Sequence, residues 1–324
     1  MARAAVIGCG DISVVHFAAI EAMPGVELAG VCDPDRERTE ARAVPAYTDY
    51  RDLIEDLHPD VVHICTPHDL HAPIVIDCLE RGVNVLVEKP VAHTLADAER
   101  VIVAAENHPD LKVGVCLQNR YNIATQAAHK LLASGELGAI RGGSATVLWH
   151  REAGYYRARP WRGRMARSGG GVLINQAIHT LDLMEWLLGD VTRLRGHAGR
   201  YGLDGEIDVE DTAHALLDHA GGARSVVFAT VTNVVDSPVT IEITAEHATL
   251  LIRGDLTVSY LDGRTEVVAE RRAASGGRAY WGASHDLLIA DFYRTLRDPE
   301  PFWIGPREGT RSLRLIQQIY DQSN

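Results

Sequence analysis

The first 116 residues alternate between short apolar runs and longer segments in which apolar residues recur with helical spacing. The runs are almost uninterrupted Val, Ile, Leu and Ala, which is typical of strands covered on both faces. Strands that alternate with helices predict βαβ units around a parallel sheet. The predicted strands are Arg3–Ile7, Val26–Val31, Asp60–Ile64, Val83–Val87 and Lys112–Cys116, and the predicted helices are Ser13–Ala22, Asp35–Ala43, Asp49–Asp56, Leu70–Arg81 and Thr94–Asn107.

After Tyr121 the pattern changes to a succession of strands that extends from Thr192 to Val268, with a turn at Gly221-Gly222. Successive strands predict a mainly antiparallel sheet. The other elements predicted here are a strand near Ile140–His150 and helices at Ala124–Ala133, Val172–Leu188, Ala283–Arg297 and Arg307–Tyr320. Because 324 residues exceed the usual size of one hydrophobic core, we predict an α/β Rossmann domain over residues 1–120. An α+β domain with a large, open, mostly antiparallel sheet is predicted over residues 121–324, and packing of the last helix back onto the first domain is left open.

The chain carries 32 Lys and Arg against 44 Asp and Glu, which gives a net charge of -12. Nucleic-acid binding draws its affinity from clustered cations that neutralise phosphates, so this charge argues against a nucleic-acid partner. No run of about 18 apolar residues, the length that spans a bilayer, occurs in the sequence. The N-terminus shows no secretory signal, so we expect a cytoplasmic protein with no membrane partner.

Two features of the composition stand out. The five cysteines are odd in number, lie within the first 116 residues and form no C-x-x-C pair, which predicts small buried side chains. Arginine clusters between Arg157 and Arg167. A solvated loop and a clamp for an anionic or polyhydroxyl substrate both fit this cluster.

A glycine-rich turn follows the first predicted strand and leads into the first predicted helix. Its sequence is Val6-Ile-Gly8-Cys-Gly10-Asp11-Ile12-Ser13. Gly8 permits a tight turn, Gly10 lets the backbone approach a pyrophosphate, and the helix N-terminus supplies free N–H groups. Asp33 ends the second strand, where a carboxylate accepts both ribose hydroxyls and repels the extra phosphate of NADP; capping of the next helix is its other possible role. NAD is therefore the expected cofactor, and NADP stays as the alternative because Arg36 and Arg38 lie nearby.

Further cofactor contacts are expected where the third strand ends, because open parallel sheets bind ligands at the carboxyl ends of their strands. Thr66, Pro67 and His71 are the candidates. His63, His68 and His71 do not have the spacing of a known zinc site, so we expect no metal.

The fourth strand ends in Glu88-Lys89-Pro90, and with this motif the chain resembles the Gfo/Idh/MocA oxidoreductases, the group of glucose-fructose oxidoreductase and inositol dehydrogenase. The resemblance covers essentially the whole chain. It rests on the Gly8/Gly10 turn, Asp33, Thr66-Pro67, Glu88-Lys89-Pro90, Gln118-Asn-Arg-Tyr121 and Gly169-Gly-Gly-Val-Leu-Ile-Asn175-Gln-Ala-Ile-His179-Thr-Leu-Asp182. It implies that Glu88 and Lys89 belong to the cofactor site. It also implies an open sheet used for substrate binding and for assembly into a homodimer or homotetramer.

The resemblance assigns catalytic roles to Lys89 and His179, because this family uses the E-K-P lysine at the substrate and nicotinamide and the histidine of the long helix as proton acceptor. Alcohol oxidation needs a hydride acceptor and a base. A histidine, with a reference pKa of about 6.5, suits the base, whereas a lysine with a reference pKa of about 10.4 stays charged and stabilises an alkoxide. Asn175 stands one turn before His179, where many family members carry aspartate; its amide can bond a hydroxyl but cannot ionise. A hydrogen-bonded core histidine is the alternative for His179.

Planar donors and ring faces are expected around a polyol substrate. The candidates are Arg120, Tyr156, Trp161, Arg162, Asn175, His179 and His285. Tyr156 and Trp161 fit packing or interface roles equally well. The sequence thus predicts an NAD-dependent dehydrogenase acting on a secondary hydroxyl of a sugar, sugar derivative or cyclitol. The alternatives are an NAD-dependent glycosidase of the same superfamily and a non-catalytic ligand sensor on the same fold; intact Lys89 and His179 count against the sensor.

Overall fold

The short apolar runs at the start of the chain form one parallel sheet in the computed structural model, which describes residues 1–40, 42–203, 205–271 and 284–323. The strands are β1 Ala2–Ile7, β2 Val26–Cys32, β3 Ala46–Tyr47, β4 Val61–Ile64, β5 Asn84–Glu88 and β6 Val113–Cys116. Their order is β3-β2-β1-β4-β5-β6, and every pair is parallel. All residues of β4 and β6 are buried, as near-continuous apolar composition requires. The predicted Rossmann-type sheet is confirmed.

Four helices connect these strands: α1 Ser13–Ala22, α2 Tyr50–Leu57, α3 His71–Glu80 and α4 Leu95–Asn107. The side chain of Asp49 caps α2 by accepting the Arg51 N–H, and the Thr94 hydroxyl caps α4 by accepting the Asp97 N–H. These caps satisfy backbone donors that a helix leaves without partners in its first turn.

The predicted helix Asp35–Ala43 is wrong. The structure has a single 3₁₀ turn, Arg36–Arg38, and Ala41 lies outside the described residues. The Asp35 carboxylate accepts the Glu37 N–H and the Thr39 hydroxyl donates to the Arg36 carbonyl, so short polar side chains satisfy the backbone locally. No residue of the turn is buried, and an α-helix here would gain little from packing.

The strand-rich half of the chain forms an eight-stranded sheet with the order β14-β13-β12-β11-β7-β10-β9-β8. The pair β7/β10 is parallel and the other pairs are antiparallel, which confirms the predicted, mostly antiparallel sheet. Buried and exposed residues alternate along β9 and β10, so one face of these strands is covered and the other is exposed. The strands are β7 Ile140–Leu148, β8 Val191–Gly199, β9 Thr212–His219, β10 Arg224–Thr230, β11 Thr240–Ala245, β12 Ala248–Arg253, β13 Asp255–Tyr260 and β14 Thr265–Val268.

Helices α5 Ile123–Ala133, α6 Ala153–Ala158, α7 Met165–Ser168 and α8 Ile178–Leu188 accompany this sheet. The helix predicted over Val172–Leu188 is composite, because a π-helical turn at Leu173–Ala177 precedes α8. Single π-helical turns are uncommon and recur at functional sites. Among the described residues, no helix is long and apolar enough to cross a membrane.

The last three helices, α9 His285–Arg294, α10 Pro306–Gly309 and α11 Arg311–Ser323, divide between two compact units. One unit consists of Met1–Gln118 and Ser284–Thr310, and the other of Asn119–Ala283 and Arg311–Asn324. This division lies two residues before the boundary predicted after residue 120. It also differs from the prediction in its assignment of Ser284–Thr310 to the first unit.

Ser284–Thr310 belongs to the first unit because it contacts β6, the edge strand of the parallel sheet, and Lys112 just before it. The Lys112 ammonium is buried and donates to the carbonyls of Asp298 and Glu300, and the Val115 N–H donates to the Ile304 carbonyl at 2.9 Å. Of the predicted helix Ala283–Arg297, Ala283 lies outside the described residues and the helix ends at Arg294. Helix α11 instead packs on β8 and α8.

Candidate active site

The glycine-rich turn has the geometry that a dinucleotide requires. Gly8 has a φ of 90°, and a Cβ atom there would lie 2.7 Å from the carbonyl carbon of Cys65. A Cβ at Gly10 would meet no atom within 4 Å, so the backbone is open to a ligand there. Ser13, which replaces a third glycine, donates from its hydroxyl to the Gly10 carbonyl at 2.7 Å, and α1 has no side-chain cap. A phosphate group fits such an uncapped helix N-terminus, beside which Asp11 and Ile12 are half-buried.

Asp33 ties the end of β2 to this turn. Its Oδ2 accepts the Cys9 N–H at 2.8 Å and its Oδ1 accepts the Asp35 N–H at 3.0 Å. The Arg38 guanidinium forms an ion pair with Asp35 at 3.1 Å and lies 3.8 Å from Asp33. The two negative charges of Asp33 and Asp35 outnumber the single positive charge of Arg38. This corner therefore suits the ribose hydroxyls of NAD better than the extra phosphate of NADP.

His71 connects the ends of two strands. Its Nδ1 lies 2.7 Å from the Pro90 carbonyl and its Nε2 lies 2.9 Å from the Thr66 carbonyl, while burial lowers its pKa despite these bonds. The Thr66 hydroxyl is buried and has no hydrogen-bond partner among the described residues. An unsatisfied polar atom at the carboxyl edge of a parallel sheet fits a polar ligand at Thr66-Pro67.

Gly10→Ala separates the cofactor role of this turn from its structural role. We expect a stable protein whose Kd for NAD rises at least about 10-fold, because a methyl group at Gly10 meets only the incoming pyrophosphate. Tm and NAD titration calorimetry measure the two effects. Gly154→Ala, at another glycine with free space around it, should change neither quantity, and unchanged NAD affinity in Gly10→Ala would contradict this assignment.

Glu88 and Lys89 lie together where β5 ends. Lys89 is half-buried, and its backbone N–H donates to Oε2 of Glu88 at 3.2 Å. Oε1 of Glu88 accepts hydrogen bonds from Nε2 of His16 at 3.0 Å and Nε2 of His285 at 3.2 Å. Burial alone would raise the pKa of Glu88, but the hydrogen bonds from His16 and His285, together with their electrostatic effect, outweigh burial and hold the pKa well below its ordinary value. His285, predicted as a substrate residue, is thus buried against Glu88 in the first unit.

His16, Glu88 and His285 also form the group of possible metal ligands that the described residues bring within 4.8 Å of one another. A histidine bound to a metal usually donates its other N–H to an acceptor. The Nδ1 of His285 is buried with no such acceptor among the described residues, whereas bonds to Glu88 already engage the proposed ligand atoms. Hydrogen bonding therefore accounts for this group better than metal coordination.

Asn175 and His179 lie on the accessible face of an otherwise buried helix. Of the residues from Gly171 to Glu185, only these two are not buried, and a spacing of four places them on one face. The Asn175 side-chain amide donates to the Gly170 carbonyl at 3.3 Å, which an aspartate could not do. The half-exposed position of His179 favours the catalytic interpretation over a core histidine.

Glu210, which no sequence motif indicates, fixes the start of this helix. Its carboxylate accepts the N–H groups of Gly171 at 2.8 Å and Leu173 at 2.9 Å and the Tyr320 hydroxyl at 2.9 Å. A Cβ at Gly171 would lie 1.8 Å from the Glu210 carbonyl oxygen, which explains a glycine there. The anchoring carboxylate comes from far along the chain, and no local pattern marks it.

Arg120 is buried in the second unit, where its guanidinium makes two bonds to the Asp182 carboxylate, at 2.8 and 2.6 Å. The guanidinium carbon also lies 5.4 Å from the centre of the Trp186 ring. This ion pair ties the segment after β6 to α8. It accounts for Arg120 through helix positioning, and the predicted substrate contact stays a prediction.

The other predicted substrate residues lie around α6. Tyr156 is buried in a cluster with Ile207 and Val209, which favours its packing role. Trp161 and Arg162 are half-buried, and the Arg162 guanidinium lies 4.5 Å from the centre of the Tyr155 ring. A planar cation held over aromatic rings is a suitable donor for a polyhydroxyl or anionic ligand.

Comparison with known proteins identifies the family. Residues 2–115 match the model described as "Oxidoreductase family, NAD-binding Rossmann fold", and residues 125–251 match the GFO/IDH/MocA C-terminal domain. The chain belongs to this family. It is an NAD-dependent oxidoreductase, as the resemblance implied.

Known proteins and solved structures are similar to this oxidoreductase over most of its length. It is 27% identical to D-apiose dehydrogenase of Paraburkholderia graminis, over 98% of this chain and 86% of that protein. It is 28% identical to inositol 2-dehydrogenase 2 of Saccharopolyspora erythraea, over 67% of this chain and 63% of that protein. The crystal structure of the WlbA dehydrogenase from Bordetella pertussis, in complex with NADH and UDP-GlcNAcA, has a TM-score of 0.85 and 28% identity, covering 99% and 96% of the two chains.

Proposed function

We propose that this enzyme oxidises a secondary hydroxyl of a sugar, sugar derivative or cyclitol with NAD as the hydride acceptor. The half-exposed pair Asn175 and His179, on a helix that is otherwise buried, carries the proposal because it presents a base and a hydroxyl-binding amide together. The activities named for the apiose and inositol dehydrogenases, and the nucleotide sugar bound to the WlbA dehydrogenase, support a polyol substrate.

The first unit carries the proposed cofactor residues and Lys89. Gly8, Gly10, Asp33 and Thr66 of this unit would hold NAD, which would supply the hydride acceptor. The Lys89 ammonium stabilises the negative charge that develops on the substrate oxygen. Asp11, Ile12, Arg38, Pro67, His71 and Glu88 complete the proposed cofactor site.

In the second unit, His179 takes the hydroxyl proton onto an imidazole nitrogen as the carbon–hydrogen bond breaks. Asn175 orients a substrate hydroxyl through its amide. Trp161 and Arg162 offer a ring face and a planar donor to the rest of the substrate. Glu210 holds the helix that carries Asn175 and His179 through its bonds to the helix start.

NADH formation across inositols, aldoses, anhydrosugars and sugar acids, with NAD and NADP in parallel, tests the proposal. We expect turnover with NAD on at least one polyol and a lower kcat/KM with NADP. Release of a free sugar without net NADH would indicate the glycosidase, and tight binding of NAD without turnover on any substrate would indicate the sensor.

Asn175→Asp tests the departure from the family pattern. A carboxylate one turn from His179 favours the imidazolium, so we expect the acid limb of the kcat/KM profile to move to higher pH by about 0.5–1 unit. Asn175→Ala removes the amide without adding charge and should leave the limb in place. An unshifted limb in Asn175→Asp would argue that His179 is not the titrating base.

We propose that the open face of the second sheet joins copies of this chain into a homodimer or homotetramer. Leu216 and Val226 are directly opposite each other on β9 and β10 and are exposed, as is Phe228. Arg195 and Glu242 on β8 and β11 offer opposite charges to a second copy. Light scattering should give a dimer or tetramer that Phe228→Glu weakens, and a monomer of the wild-type chain at micromolar concentration would remove the proposal.

A cytoplasmic location is also proposed. All five cysteines are free thiols, and four of them are buried, as in proteins of reducing compartments. Burial raises the pKa of Cys9 to about 11 and that of Cys78 to about 12, so these thiols stay protonated. Cell fractionation with activity assays tests the location, and recovery of the activity outside the cytoplasm would contradict it.

A further inference from the structure

A row of buried titratable side chains in the first unit ends at Glu88. The Tyr293 hydroxyl lies 2.9 Å from Nε2 of His63, and Nδ1 of His63 lies 2.8 Å from Nδ1 of His16. Nε2 of His16 and Nε2 of His285 both contact Oε1 of Glu88. The three histidines and Glu88 are almost completely shielded from solvent. The cofactor role proposed for Glu88 does not explain why His16, His63 and Tyr293 also lie at this position in the core.

The hydrogen bonds of this row have one direction. An ionised Glu88 only accepts, so His16 must donate from Nε2 and, if neutral, accept at Nδ1. His63 then donates from Nδ1 and accepts at Nε2, which leaves Tyr293 as the donor of its hydroxyl proton. Burial lowers the pKa of His16 and His63, which keeps both neutral, and burial raises the pKa of Tyr293, which keeps its proton. Every link points towards Glu88 and stabilises its charge.

The charged Glu88 lies directly beside the proposed catalytic lysine. Its Oε2 accepts the backbone N–H of Lys89, so the anion is held against the residue that carries the ammonium. Cys65 on the loop after β4 and Cys116 on β6 also face Glu88; burial and then Glu88 raise the pKa of both thiols, which stay neutral. His16 and the two thiols are therefore uncharged, so none of these three neighbours neutralises the negative charge of Glu88.

We propose that Glu88 is a positioning residue that keeps Lys89 protonated during catalysis. The row of hydrogen bonds from Tyr293 through His63 to His16, together with the bond from His285, holds Glu88 as an anion. The role rests on the proposed function of Lys89. It acts through charge, since a buried anion in a medium of low dielectric constant favours a nearby cation more than it would in water.

The titration of Lys89 tests this role without an activity assay. The chain has lysines only at Lys89, Lys112 and Lys130, so protein labelled with ¹³C at the lysine Cε should give three signals, and Lys89→Ala identifies one of them. In the NAD-saturated enzyme, Glu88→Gln keeps the shape and removes the charge. Loss of the anion disfavours the ammonium, so we expect the midpoint of the Lys89 signal to fall by about one pH unit or more.

The same variant should move the alkaline limb of the kcat/KM profile to lower pH by a similar amount. His285→Leu removes one of the two donors to Glu88 and should cause a smaller shift in the same direction, whereas His285→Gln retains an N–H donor and should restore part of it. This pair keeps the test open if Glu88→Gln does not fold. Tyr50→Phe, which removes the bond at 2.8 Å to Asp77 elsewhere in this unit, controls for a general loss of stability.

An unshifted Lys89 midpoint in a folded Glu88→Gln or His285→Leu variant would overturn the proposal, even if the enzyme turns over a polyol. One equivalent of divalent metal that purifies with the wild-type protein and is lost in His16→Gln would also overturn it, because a metal would replace the donor assignment. If the wild-type enzyme shows no dehydrogenase activity but the NMR shift occurs, the electrostatic role stands and the proposed function fails.

Discussion

Replacement of Lys89 by alanine should lower kcat at least about 100-fold while the Kd for NAD changes less than about threefold. The ammonium acts on the charge that develops on the substrate oxygen in the transition state, and loss of one hydrogen-bond donor at such a position removes about 2.7–4 kcal/mol of stabilisation. Stopped-flow measurement of NADH formation gives kcat, and protein fluorescence gives NAD affinity. The expectation depends on Lys89 being half-buried at the end of β5, next to the anion of Glu88.

The other two lysines are the controls. Lys130 is exposed on α5, so Lys130→Ala should retain full activity. Lys112 is buried and donates to the carbonyls of Asp298 and Glu300, so its replacement should reduce Tm and serves to show what a structural lysine does. A Lys89→Ala enzyme with kcat within threefold of the wild type would exclude the electrostatic role.

Replacement of His179 by glutamine should lower kcat/KM about 100- to 10,000-fold near neutral pH, the range over which a positioned general base contributes. The loss should shrink as pH rises, because hydroxide increasingly replaces the missing base, and the acid limb of the profile should flatten. A pH series of kcat/KM for both enzymes measures this convergence.

His129→Gln is the matched control for this variant. His129 stacks on Trp186 of α8 at 3.9 Å between ring centres, so its loss disturbs the same helix without removing the base. A profile for His129→Gln that equals the wild type, beside a flattened one for His179→Gln, would support the assignment. If His179→Gln keeps an intact acid limb, another group is the base.

The elements of the first unit could be predicted because their information is local. Five of the six strands appear within one residue of the predicted ends, since apolar runs and the helical periods between them depend on near neighbours. Among the predicted helices of this unit, only Asp35–Ala43 is wrong. Its residues are largely charged and would form no apolar face on a helix. The two-residue β3 has too few residues to show any period.

Two candidate residues have buried partners that the sequence did not indicate. Arg120 and His285 are predicted as donors for a substrate, which stays a prediction, and the structure pairs them with Asp182 and Glu88. Charge and shape alone do not separate a residue that binds a ligand from one that stabilises a buried partner. The π-helical turn before α8 could not be predicted from the sequence either, because its residues have ordinary helical propensity.

The amino-acid sequence by itself determined the class of the two sheets and the glycine turn with Asp33. It also determined the E-K-P and helix motifs that indicate an NAD-dependent oxidoreductase. Each of these features depends on residues that lie close together in the chain. Only the tertiary structure decided which buried groups meet. Glu88 accepts hydrogen bonds from His16 and His285, which are 72 and 197 residues away in the sequence. Glu210 accepts the N–H of Gly171, which is 39 residues away. Such contacts arise because a buried polar group must find a partner wherever the fold brings one, and sequence spacing does not record that.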